Sequence, residues 1–454
     1  MRARIPLALA SLLIGAACGG GADTSPAAPT VAPTTTKTNA TTVVPTTTST
    51  SVTSTTAPSS TTPSSTTPSS TTPSYTPPVV PATTKITPPT TVAPTTTSTT
   101  RPPRVYDFGA VGPIVQDYVD IHGLNGAGLI VVERDDGVVH HQHWGEFGSD
   151  RVSLVASSSK MLVAGILMHL HDRGLLDVDA PVVEVVPWGA GNPDITPVQL
   201  LSSVSGLVGL FPALAYPPYI CQWLPLGTLQ GCAEQIFTTT EDDADVVPPD
   251  TEFRYGGGQW QVAGAVAEVA SGRSWAELVD EVYVRPCGLD VLGFNNPFTQ
   301  FDAPPFSYPT GFAGDPGTLV ATDNPNMEGG AFLTTGAYGA LLLMYLREGR
   351  CGDHAVLTPE SVERLLADRT SVVLGGDDEG VMAYGVGVGY GLGWWVDRET
   401  GRRSDGGAYG SMPWLDVEAG YGAYLVLEAT SGQGRELAEQ LYDVVAEAVL
   451  GARE

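Results

Sequence analysis

The chain has 454 residues, with 49 aspartates and glutamates against 22 lysines and arginines, and a formal charge of −27. That excess of negative charge argues against nucleic acid and against a bare anionic lipid surface as partners. The length leaves room for two or three domains, but the composition of the opening residues is not that of a folded one.

Met1-Arg-Ala-Arg is a short basic segment, and Ile5 to Ala17 is an apolar run too short to span a bilayer. Residues 1–17 therefore read as a removable export signal. The small residues before Cys18 are similar to a bacterial lipobox, which would make Cys18 the lipidated residue, although Gly15 stands where leucine is usual. An ordinary secretory signal with an incidental cysteine is the alternative. Residues 18–104 are Thr, Pro, Ser and Ala, with P-S-S-T-T repeated between Pro58 and Ser74. Such a segment buries too little apolar surface to offset chain entropy, and proline with β-branched threonine keeps it extended. It reads as a disordered tether, with a composition suited to O-glycosylation. The expected protein is exported, either a cell-surface lipoprotein held at the membrane by its lipid alone or a secreted chain.

Residues 105–454 read as one large domain. Gly112–His122 is a predicted helix. Gly126–Glu133 and Val138–Trp144 are apolar runs joined by Arg134-Asp135-Asp136-Gly137, a hairpin signal. A helix begins near Ser157, carries Leu162, Ile166 and Leu170 on one face, and closes at Arg173-Gly174. Thr196–Leu201 is a short helix. A loop-rich insert follows, with Cys221 and Cys232. Phe253-Arg-Tyr-Gly-Gly-Gly leads into a helix over Gln259–Ala270, and Trp275–Val284 is another. Glu328-Gly329-Gly330-Ala331 is expected to open a helix reaching Leu346, and Thr358–Ala367 is a further one. Tyr390–Val396, Gly410–Leu415 and Ala423–Glu428 are expected strands, and Arg435–Leu450 a closing amphipathic helix. Strands at both ends with helices between them predict an α/β (α+β) fold, an antiparallel sheet flanked by helices with a helical insertion. In an exported domain the four cysteines after Cys18 favour disulfides. Four cysteines allow three pairings, of which Cys221 with Cys232, closing a short loop, and Cys287 with Cys351 are favoured.

Ser157 and Lys160 form an S-x-x-K. Residues three apart share a helix face, so the lysine amine lies one turn from the serine hydroxyl. The first-turn amides have no partner inside the helix, and the dipole is positive there. That is the setting of an activated acyl-transfer nucleophile. The motif alone equally describes a serine-rich cap followed by a surface lysine. Lys160, however, is the only lysine after Lys85, in a domain that otherwise uses arginine, which cannot release its proton.

With these landmarks in order, the whole domain resembles the serine β-lactamase-like family, which includes class C β-lactamases, D-alanyl-D-alanine carboxypeptidases and related esterases. Ser157-Ser-Ser-Lys160 matches the family's S-x-x-K, and Leu200-Leu-Ser-Ser-Val-Ser-Gly-Leu207 its L-L-x-H-T-S-G-L. Tyr255 takes the place of the Y-x-N tyrosine. Arg285-Pro-Cys-Gly-Leu289 and Tyr390-Gly-Leu-Gly-Trp-Trp395 are further landmarks, and Asp405-Gly406-Gly407-Ala408 sits in the K-T-G or H-x-G slot. The resemblance implies an acyl-enzyme on Ser157 and a proton taken by Lys160, its pKa lowered by burial and cationic or dipolar neighbours, with Tyr255 sharing that role. The oxyanion donors would be the Ser157 and Ala408 amides. Gly406 and Gly407 would let a substrate approach the backbone. No cofactor or metal is implied.

Two residues depart from the family. The Y-x-N asparagine is Gly257, so its amide contact to substrate is lost. The cation of the third motif is Asp405, which would repel a substrate carboxylate. The expected substrate is therefore a small-molecule or peptide carrying a neutral ester or amide, acted on by a monomer. The competing reading is a catalytically weak or inactive surface domain of the same fold that binds without turnover. A metal enzyme is a third reading, resting on His140-His141-x-His143, but on a strand only His141 and His143 share a face. The acidic runs at 241–243 and 377–379 read as solvated loops. Trp394 and Trp395 could line a cleft or fill core.

Overall fold

The computed structural model describes residues 103–211, 216–376 and 378–453. The expected leader, Cys18 and the tether through residue 102 lie outside the described residues. Seven antiparallel strands form the main sheet, in the spatial order Gly137–Gly145, Gly126–Glu133, Tyr421–Leu427, Ser411–Asp416, Arg403–Ser404, Trp395–Asp397 and Val388–Tyr390. The first and last parts of the domain meet at its centre, where Ala127 pairs with Leu427 and Glu133 with Tyr421.

All eight residues of Gly126–Glu133 are buried, and the alternation of a strand explains how. Leu129 and Val131 point to one face with Leu425 and Leu427, against Val111, Val115, Leu437 and Leu441. These last four come from helices Val111–His122 and Ser431–Gly451. Ile130 and Val132 point to the other face with Tyr424 and Val426, where helix Thr335–Leu346 lies. A strand covered on both sides reads as a continuous apolar run, as this one does. The same core continues through Lys160–Asp172, Gly258–Ser271 and Leu229–Thr238, the helical part of the molecule. A small sheet, ordered Val152–Leu154, Ala331–Thr334 and Leu292–Phe294, delivers the chain into the Ser157 turn. No described helix is long and apolar enough to cross a membrane.

Three expected elements differ. Glu328–Ala331 does not open a helix: Ala331–Thr334 is a strand, and the helix starts at Thr335 with the Thr334 hydroxyl capping the Ala337 amide. That helix is apolar on every side, so its sequence carries no periodic edge to mark where it begins. Tyr390–Val396 is two short strands, because Gly393 at φ +78° lets the chain reverse and pair Tyr390 with Trp395. Trp275–Val279 is α-helical, but Asp280–Val284 continues as a wider π turn. Cys221 with Cys232 and Cys287 with Cys351 stand at disulfide separation, with Cα atoms 5.6 Å and 4.8 Å apart. Both pairings agree with the expectation and with an oxidising compartment.

Candidate active site

The strand Val152–Leu154 runs into a single 3₁₀ turn, Ala156–Ser159, which continues as the helix Lys160–Asp172. Every residue from 152 to 168 is buried except Ser157. The three consecutive serines have separate destinations. Ser158 Oγ donates to the Asp405 carbonyl at 2.5 Å and accepts from Ser411 Oγ at 2.9 Å. Ser159 Oγ donates to the Ala156 carbonyl at 2.6 Å and accepts the Ala331 amide at 2.9 Å. Ser157 alone is left facing outward. Ala156, just before it, has φ +46°, a left-handed conformation uncommon outside glycine that costs about 1–3 kcal/mol and persists only where surrounding bonds hold it. The Ser159 hydroxyl on its carbonyl is one such bond.

Lys160 is completely buried. Its Nζ lies 3.0 Å from Ser157 Oγ and donates to the Glu328 carbonyl, also at 3.0 Å. A Glu328 carboxylate oxygen is 3.5 Å away. The Tyr255 ring centroid is 4.7 Å from Nζ, and that of Trp260 5.8 Å. Tyr255 is held from below by its carbonyl, which accepts the Leu210 amide at 2.7 Å. It stands in a wall of aromatic rings with Phe253, Tyr384, Tyr390 and Trp395. Of the adjacent tryptophans, Trp394 is core and Trp395 is the one beside Tyr255. His141 and His143 do share a strand face, with ring centroids 4.5 Å apart.

The charges around Lys160 are not those expected. Burial lowers the pKa of its amine, but Tyr255, Glu328 and Asp405 oppose this and the net direction is up. The neighbours are acidic, not cationic. Burial raises Glu328, and the nearby lysine and the Gly257 amide only partly offset it. Burial likewise raises Tyr255, against the lysine's charge. Asp405 is pushed well above the carboxylate range by burial, which Lys160 and the Met161 amide do not overcome. One Asp405 oxygen accepts that amide at 3.2 Å, and the other has no partner among the described residues. Two carboxylates beside one buried cation cannot both be compensated. Glu328, 3.5 Å from Nζ, is the ion-pair partner, while burial biases Asp405 toward its protonated form.

This corrects the role expected of Asp405. Its side chain is fully buried under the first turn of the Lys160–Asp172 helix, so it does not front a substrate and cannot repel one. A folded-state pKa above the unfolded value of about 3.9 gives stability that is complete below that pH and is lost as pH rises. Asp405→Asn keeps the acceptor for Met161 and removes the titration. It is therefore expected to melt about 2 °C or more above the wild type at pH 7, with the gap closing near pH 4. Melting curves across pH check this, and a pH-independent difference would refute it.

Gly257 opens the Gly258–Ser271 helix at φ +81°, and a Cβ there would press on the Val208 carbonyl. Asparagine does not fit this backbone. Gly407 packs flush on the Ser157 turn, where a Cβ would run into the Val155 carbonyl and approach Ser158 Oγ to 3.1 Å. The glycine is thus required by internal packing and not by substrate approach. The contact lays residues 405–408 alongside 155–158. The Gly407 amide is used, donating to the Ser411 carbonyl at 2.7 Å. Gly406 and Ala408 are half-buried. Glu328 was expected at a helix start and not in the site, where its only signal is an acidic residue beside two glycines.

The family model described as Beta-lactamase matches residues 112–447. A penicillin-binding protein 4 from Amycolatopsis lactamdurans is 25% identical, over 73% of this chain and 87% of its own length. Esterase EstB from Burkholderia gladioli is 29% identical, over 37% of this chain and 44% of its own. Among solved structures, EstCE1, a hydrolase with promiscuous acyltransferase activity, shares the fold. It superposes with a TM-score of 0.61 at 18% identity, covering 74% of this chain and 98% of that one.

Proposed function

The chain belongs to the beta-lactamase family, and from that premise we propose that it is a serine hydrolase that turns over neutral esters or amides through an acyl-enzyme on Ser157. The observation that carries the reading is the 3.0 Å approach of Lys160 Nζ to the one outward-facing serine. Ser157 Oγ attacks the carbonyl carbon as its proton passes to the unprotonated amine of Lys160, with Tyr255 beside both. The tetrahedral oxygen takes hydrogen bonds from the Ser157 and Ala408 amides. The leaving group departs with a proton returned by Lys160, and water then releases the acyl group. The penicillin-binding and esterase relatives support hydrolysis in general.

The substrate class rests on a missing charge. Asp405 occupies the slot where the family carries a cation, and that side chain is fully buried. Nothing at that position attracts a substrate carboxylate, and a neutral acyl compound loses nothing by it. A short-chain p-nitrophenyl ester is expected to give a kcat/KM at least about tenfold above that of a chromogenic cephalosporin, a difference of ~1.4 kcal/mol. Faster cephalosporin turnover would reverse the assignment. The further readings, a monomer on a lipid anchor at Cys18 and no nucleic-acid partner, belong to the same proposal.

One observation favours a weak or inactive binding domain instead: a Glu328 carboxylate oxygen stands 3.5 Å from the Lys160 amine, and such an acidic neighbour favours the ammonium over the free base. A fluorophosphonate probe separates the two. Labelling of the wild type but not of Ser157→Ala supports the hydrolase, and no labelling at any pH supports the binding domain.

A further inference from the structure

Glu328 lies buried beside the Lys160 amine. It is 3% exposed. One carboxylate oxygen accepts the Gly257 amide at 2.9 Å and stands 3.5 Å from Lys160 Nζ. The other is buried without a partner among the described residues. The space it fills depends on Gly256 lacking a Cβ, and Gly257 contributes its amide. Gly256 and Gly257 have φ +68° and +81°. A Cβ on Gly256 would come within 2.6 Å of that same carboxylate oxygen, and one on Gly257 would strike the Val208 and Gly209 backbone. The chain therefore gives up a side chain at Gly256, two positions before the Gly258–Ser271 helix, and a carboxylate from a distant loop enters beside the lysine.

We propose that Glu328 is a positioning residue of the Ser157–Lys160 pair: its carboxylate is the counter-ion that holds the Lys160 amine against Ser157 and governs when that amine gives up its proton. The proposal rests on the serine-hydrolase reading for its catalytic meaning. The groups facing the amine from the surrounding elements are Ser157 on its own turn, Tyr255 before the Gly258–Ser271 helix, Trp260 on that helix and Asp405. Tyr390 faces Glu328 and Asp405 from the edge of the sheet. Among the described residues only the Glu328 carboxylate stands within ion-pair distance of the amine. In this step Glu328 acts as the anion and exchanges no proton. Lys160 loses one proton to solvent, the resulting amine accepts the Ser157 hydroxyl proton as Oγ bonds to the carbonyl carbon, and the ammonium re-forms beside its counter-ion. An adjacent anion favours the ammonium, so the carboxylate gives firm placement of Nζ and shifts catalysis toward alkaline pH.

The sequence supplies a direct probe, because Lys160 is the only lysine after Lys85. The full chain is labelled with 13C at lysine Cε, and the Lys160 resonance is assigned by its loss in Lys160→Arg. Its titration is compared in wild type, Glu328→Asp and Glu328→Gln. Glutamine keeps the shape and the acceptor for Gly257 but not the charge. The acid dissociation constant of Lys160 is expected to rise more than about tenfold in Glu328→Gln, a full unit of pKa, and by less in Glu328→Asp. The acid limb of fluorophosphonate labelling moves to lower pH in the same order. An unchanged or higher Lys160 midpoint in Glu328→Gln overturns the proposal. If that variant does not fold, the same result in Glu328→Asp does so. The resonance reports whether or not the protein is a hydrolase: absent labelling in every variant with a shifted midpoint would remove the hydrolase reading and leave the ion pair standing.

Discussion

Lys160→Arg is expected to lose at least about 10³-fold in kcat/KM on a p-nitrophenyl ester, within the range that a general base contributes. The substitution keeps a positive charge beside Ser157 and Glu328, so electrostatic support for the fold is retained. What it removes is the ability to give up a proton, since the guanidinium remains charged at any pH the protein tolerates. The wild-type rate is expected to climb as pH rises from neutral, because the acidic neighbours hold the Lys160 pKa up and each unit of pH below it multiplies the free amine tenfold. The arginine variant should show no such climb. Lys160 is fully buried, and arginine is bulkier, so Lys160→Ala is the companion variant. Small primary amines added to Lys160→Ala should restore part of the rate, and they should do nothing for Ser157→Ala. A Lys160→Arg enzyme within tenfold of wild type would mean that the base is another group, and Tyr255 would be the first to test.

The strand Gly126–Glu133 was legible because both of its faces are buried, and an uninterrupted apolar run ending in a hairpin signal has few other readings. The Ser157 turn was legible for a different reason. Its spacing placed an amine under a hydroxyl, and the exclusion of lysine from the rest of the domain singled that amine out. The disulfides followed from parity and loop length. What sequence could not show was charge at a distance. Glu328 reaches Lys160 from 168 positions away, and no local pattern marks it, so the lysine was expected among cations and stands among acids. Asp405 was placed correctly in order but not in orientation. A motif slot fixes where the backbone runs, while the side chain turned inward to meet the Met161 amide. The start of helix Thr335–Leu346 was lost because a helix apolar on every side has no face to read.

Glycine at 407 is expected to be replaceable by alanine only at a loss of about 10²–10³ in kcat, the usual consequence of misplacing one oxyanion donor. Neither Gly406 nor Gly407 uses a left-handed backbone, so the difference between them is one of space alone. On Gly406 a methyl group would meet the Met412 sulfur at 3.0 Å, the flexible end of a side chain that can swing aside. On Gly407 it would meet the Val155 carbonyl, which is backbone and already accepts the Ser158 amide. The 405–408 segment would have to lift off the turn. Doing so stretches the Ser158 hydroxyl bond to the Asp405 carbonyl and the Ser411 bond behind it, and carries the Ala408 amide away from Ser157. Overpacking of this kind destabilises by about 1–3 kcal/mol, little enough for a large domain to remain folded at assay temperature. Gly406→Ala should therefore behave like wild type in the same assay. Both variants keep Ser157 and Lys160 in place, so a loss confined to Gly407→Ala locates the second donor on this segment. Equal activity in the two would place the oxyanion elsewhere and leave the Ser157 amide without the partner assigned to it.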